Sequence, residues 1–73
     1  MNILLENLLD EVWSLTKKID AIRMQIETSQ FEELPHIERI LIVNQYNAMQ
    51  LYKYALDEYI FILEQKGEHC YDN

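Results

Sequence analysis

LENLLDEVWSLTKKIDAIRMQI, residues 5–26, decides the fold. Leu5, Leu8, Val12, Leu15, Ile19, Ile22 and Ile26 follow one another there at alternating spacings of 3 and 4. A strand would throw such residues onto both of its faces, whereas a helix gathers them into one stripe. An unbroken stripe of this kind packs knobs into holes against another helix. Leu4, Leu9 and Trp13 form a second, shorter strip beside it. That end of the helix therefore offers more apolar surface than one neighbour covers.

Moving toward the C-terminus, the pattern lapses near Thr28, and Ser29-Gln30-Phe31-Glu32 has the form of a capping box with Ser29 as N-cap. Pro35 then restarts the chain, because proline suits the first turn of a helix and biases the preceding Leu34 toward an extended backbone. Phe31 and Leu34 read as plugs for the apolar end of the turn. A second helix is expected to run to Lys66, with Gly67 ending it. Its seam reads Ile42, Gln45, Met49, Tyr52, Leu56, Tyr59 and Leu63, while Leu41, Ala48, Ala55 and Ile62 recur every seven residues alongside. Gln45 is read as a register-setting amide within that seam, and Asn44, Asn47 and Gln50 as a polar belt beside it. The expected fold is all-α: an antiparallel two-helix hairpin with helices at about 3–28 and 36–66, assembling into an oligomeric helical bundle. Residues 1–66 make its one domain, and 67–73 a mobile tail.

Size and composition call for that assembly. A chain of 73 residues builds a core that yields only about 3–5 kcal/mol unaided. Disulfides cannot help, because Cys70 stands alone, and no Cys/His set has the spacing of a structural zinc site. Self-association, most simply two hairpins in an even-numbered homo-oligomer, is the remaining device. With 49% apolar residues, one Gly and one Pro, the chain is neither disordered nor many-stranded. Six Lys+Arg against thirteen Asp+Glu leave a net charge of -7, which repels nucleic-acid backbones and anionic membranes. No basic leader and no long uncharged stretch stands in the sequence, so a cytoplasmic location is expected, with no membrane and no nucleic acid among the partners.

Catalysis, a metal and a cofactor are not expected. His69-Cys70 lies beyond Gly67 with no orienting third group, and His36 stands beside Glu32 and Glu33, where a surface role or local salt link is the simple reading. Glu6 and Asp10 share a helical face, yet neither helix carries the Glu-x-x-His motif of a di-metal bundle.

The stretch Phe31-Glu32-Glu33-Leu34, then Ile40-Leu41, Gln45, Ala48-Met49, Tyr52 and Leu56, resembles a family of short phage proteins named after a crAss-like phage. The resemblance spans about residues 26–60 and follows an F-x-x-L turn, a leucine pair and Q-x-x-A-M-x-x-Y-x-x-x-L; members often carry a basic residue near the position of Tyr59. It implies a phage or prophage origin. Three binding roles follow as expectations: a sponge that sequesters a small anionic immune signal such as a cyclic or ADP-ribose-derived nucleotide, an acidic adaptor or inhibitor of a host or phage protein, and a structural accessory. For a sponge, Arg23, Arg39 and Lys53 would meet phosphate. Tyr46, Tyr52, Tyr54 and Tyr59 would stack on a base, and Asn44, Gln45 and Asn47 would supply amides. Arg23 and Arg39 are expected to border the turn end of the hairpin, where symmetry would multiply them; each has a local alternative, Glu27 for Arg23 and Glu38 or a neighbour for Arg39.

Overall fold

A computed structural model describes the backbone over residues 3–71 and the side chains over 3–66. Helix α1 spans Ile3–Ile26, α2 is the single turn Ser29–Glu32, and α3 spans His36–Tyr71. The two long helices pack side by side and antiparallel in a rod 59 Å long and 15 Å across. A bond between residues far apart in sequence fixes their register: the Tyr52 hydroxyl donates to Glu11 Oε1 at 2.7 Å.

The turn is built by local bonds. Thr28, not Ser29, is the N-cap of α2; its backbone is extended and its Oγ1 accepts from the Phe31 N–H at 3.3 Å. Glu32 completes a box with Ser29 in the sequence, but α1 ends at Ile26, two residues before the expected end near Thr28, which leaves Thr28 free to cap α2. The Arg39 N–H closes the first turn of α3 on the Pro35 carbonyl at 3.1 Å, since proline supplies an acceptor while lacking a donor. At the other end α3 does not stop at Lys66: the backbone stays helical through Gly67 to Tyr71. A glycine weakens a helix by about 1 kcal/mol relative to alanine without breaking it. The expected tail role of His69 and Cys70 falls on side chains outside the described residues.

Leu15, Ile19 and Leu56 form the core, flanked by Leu8, Val12, Tyr46 and Met49. Along α1 the buried and half-buried side chains are Leu5, Leu8, Val12, Leu15, Ile19, Ile22 and Ile26, with Thr16 and Asp20 half-buried beside them. Along α3 the expected stripe is corrected at every second position. Ile42, Met49, Leu56 and Leu63 face inward, but the places between them belong to Tyr46, Lys53 and Ile60; Gln45, Tyr52 and Tyr59 are exposed. Gln45 is therefore not a buried amide within the hairpin. Lys53 fits the seam because its methylene stem can lie over apolar neighbours while its ammonium reaches out, here to Asp57 at 3.0 Å. No side chain among the described residues is fully enclosed, as two helices alone can only be thinly covered.

Candidate functional site

Pro35 sets the direction of α3 so that its first two turns fold back beside α2. His36, Arg39, Ile40, Val43 and Asn44 thereby line a hollow of about 280 Å³ with Phe31 from the short helix. Arg39 is half-buried there. Its Nε is withdrawn from solvent and has no hydrogen-bond partner among the described residues. A buried donor left unpaired costs about 1–3 kcal/mol, and the same guanidinium carries its further N–H donors on the two terminal nitrogens. Guanidinium is also the group that best matches phosphate or carboxylate, through its planar fork of donors.

The surroundings favour an anion with an aromatic part. Phe31 offers a ring, Asn44 an amide that both donates and accepts, and His36 an imidazole. No carboxylate lines this hollow, a distinction in a chain of net charge -7. Two other hollows are acidic. The groove midway along the hairpin pairs Lys53 with Asp20 and Asp57, and the one on the opposite side sets Lys18 against Asp10 and Glu11. An anion entering either would meet two negative charges for one positive.

Six of the ten residues expected to read a ligand, Arg23, Arg39, Asn44, Tyr46, Asn47 and Lys53, are distributed over several places. Arg39 and Asn44 come together at the turn. Arg23 is exposed and ion-paired to Asp20 at 3.2 Å, a partner one turn back in place of the expected Glu27. Lys53 lies in the middle groove, about 21 Å along α3 from Arg39 at the rise of a helix. Tyr46 is half-buried against the core, its hydroxyl accepting from Gln50 Nε2 at 3.0 Å. Asn47 is exposed. One hairpin does not gather all six into a single site.

Phe31 and His36 join the hollow although sequence assigned them to plugging and to the surface. The signal lay in Pro35: a helix restarting directly after a turn must bring its first residues against that turn. Elsewhere, Tyr52 has its phenol raised above the usual value of 10.0 by its hydrogen bond to Glu11, with burial and the carboxylate's charge adding to it. Lys17 covers the exposed Trp13 ring at 4.7 Å. Among the described residues no group of three His, Cys, Asp or Glu is placed to hold a metal ion, and no helix is long and apolar enough to cross a membrane.

A family model described as Sequestin matches residues 4–62. That span contains the packed face of α1, that of α3 up to Ile60, the turn and every residue lining the Arg39 hollow. No curated protein and no solved structure matches the chain.

Proposed function

The chain belongs to the Sequestin family, and from that membership we propose that it is a non-enzymatic phage protein that sequesters a phosphate-bearing nucleotide signal of host immunity. The observation that carries this reading is a half-buried Arg39 lining a hollow that has no carboxylate in its wall. Arg39 holds a phosphate, His36 adds a donor to it, Phe31 receives the face of the base and Asn44 reads its edge. The site has donors and an aromatic face but no paired acid, base and nucleophile, so it retains its ligand without changing it. Such retention is what a sponge needs. The working form is an even-numbered homo-oligomer in the host cytoplasm, with no cofactor.

A hollow of about 280 Å³ is at the small end for a ligand site, where about 300–1,000 Å³ is usual. The hairpin accordingly holds part of the nucleotide and a second copy holds the rest. Thermal-shift screening against cyclic dinucleotides and ADP-ribose derivatives tests the reading. A stabilising hit that vanishes in Arg39→Glu, with helicity preserved, supports it. If nothing in that panel binds and a host protein is captured instead, the protein-directed inhibitor takes its place.

A further inference from the structure

Helix α3 carries two seams, and the hairpin uses only one. Ile37, Leu41, Asn44 and Ala48 continue into Leu51, Ala55, Glu58 and Ile62 with spacings of 4 and 3 in strict alternation, and all eight are exposed. Leu51 is 73% exposed, Ile37 62% and Leu41 60%. A continuous heptad seam about 37 Å long therefore lies on the side of α3 turned away from α1. The rows flanking it are almost uncharged: Gln45, Tyr52 and Tyr59 with Glu38 on one side, Ile40, Asn47, Tyr54 and Phe61 on the other.

We infer that this seam pairs with the same seam of a second copy, antiparallel, and that the pairing sets Phe61 of the second copy against Ile40 at the rim of the Arg39 hollow. Three observations choose that occupant. First, the chain exposes 5963 Å², whereas a compact monomer of 8.8 kDa exposes about 4,800 Å². The excess of about 1,200 Å² exceeds the roughly 800 Å² that each partner gives up in an ordinary stable interface. Second, seam and flanks hold two carboxylates, Glu38 and Glu58, and no cation. A basic partner would find little to pair with there. A second copy of this acidic chain meets a face from which most of its repulsive charge has been removed.

Third, the seam is complementary to itself when reversed. In an antiparallel coil each a position faces a d position. The register that engages the whole seam sets Leu51 opposite Ala48, Ala55 opposite Asn44, Ile62 opposite Ile37 and Leu41 opposite Glu58, every pair occurring twice about the two-fold axis. Large meets small at the centre and the two isoleucines close each end. A parallel pair would stack Ala48 on Ala48 and Ala55 on Ala55, leaving voids, would force Glu58 against Glu58, and would align the helix dipoles. In the antiparallel register the flanking rows also match: Ile40 meets Phe61 and Asn47 meets Tyr54. Ile40 and Asn44 line the Arg39 hollow and belong to this seam or its flank, so the second copy completes the wall that one hairpin leaves open. The part assigned to Phe61 rests on the sequestering reading; the pairing itself does not.

The test uses the full chain without any ligand, so its outcome is independent of that reading. Sedimentation at tens of micromolar is expected to give a dimer. Spin labels on Asn47→Cys and, separately, Glu38→Cys, each in a Cys70→Ser background, are expected to lie about 12 Å and about 36 Å apart across the dimer. Leu51→Asp is expected to sediment as a monomer with its helix content kept, since Leu51 contributes nothing to the hairpin's own core. A monomeric parent chain, equally short distances at both labelled positions, or a Leu51→Asp dimer would each overturn the inference.

Discussion

Replacing Leu56 by alanine probes the thin core where it is best covered. Leu56 is 7% exposed and touches the cluster of Leu15 and Ile19, with Tyr46 and Met49 beside it. Leu→Ala in a core removes transfer free energy and leaves a cavity, at a combined cost of about 2–5 kcal/mol. Two helices 15 Å across can close over a void more easily than a thick core can, which places this site near about 2–3 kcal/mol. A domain of this size has only about 3–5 kcal/mol to lose. Each kcal/mol moves the midpoint of a short domain by about 4–8 °C, so Leu56→Ala should melt roughly 10–20 °C lower. Far-ultraviolet circular dichroism, with a urea titration to check that the slope is unchanged, reads this directly. A shift under about 4 °C, or less than 1 kcal/mol, would refute the placement of the core on Leu56.

Other perturbations separate stability from binding. Arg39→Met should leave the melting temperature unchanged or raised, because an unpaired buried donor disappears, while nucleotide retention is lost; calorimetry and a melt on one sample show both. Tyr52→Phe should remove a component of stability that is present at neutral pH and lost in alkali. The raised folded-state pKa of Tyr52 means that its contribution is complete below the unfolded value near 10 and fades as pH rises through the folded one, so the parent and variant melts should converge at high pH. Lys53→Gln should cost under about 0.5 kcal/mol in a denaturant titration, since its pair with Asp57 is a surface i,i+4 bridge.

The first helix was legible because each position of its stripe, from Leu5 to Ile26, is apolar, and only one phase of a helix satisfies them all. The third was ambiguous. Ile42, Met49, Leu56 and Leu63 belong to two possible seams, one completed by Gln45, Tyr52 and Tyr59, the other by Tyr46, Lys53 and Ile60. A tyrosine at two positions looks more apolar than a lysine at one, so the inward row is the less conspicuous of the two in the sequence. Lys53 fits the inward row through its stem, a feature that its charge conceals in a sequence. The Arg39 hollow was half legible. Arg39 and Asn44 could be named as residues able to meet phosphate and amide, but their union with Phe31 depends on how α2 folds back. Arg23 and Lys53 were equally plausible cations until their bonds to Asp20 and Asp57 placed them beside carboxylates. Gly67 shows the limit of punctuation: a glycine permits a helix to end without requiring it.

Under the proposed function this chain holds a nucleotide and gives it back intact. The most direct measurement incubates the protein with the nucleotide found by screening, removes free ligand by gel filtration, denatures the protein and identifies what is released by mass spectrometry. The unaltered nucleotide is expected from the parent chain and none from Arg39→Met. Release of a cleaved or transformed product, or equal retention by Arg39→Met, would contradict that function.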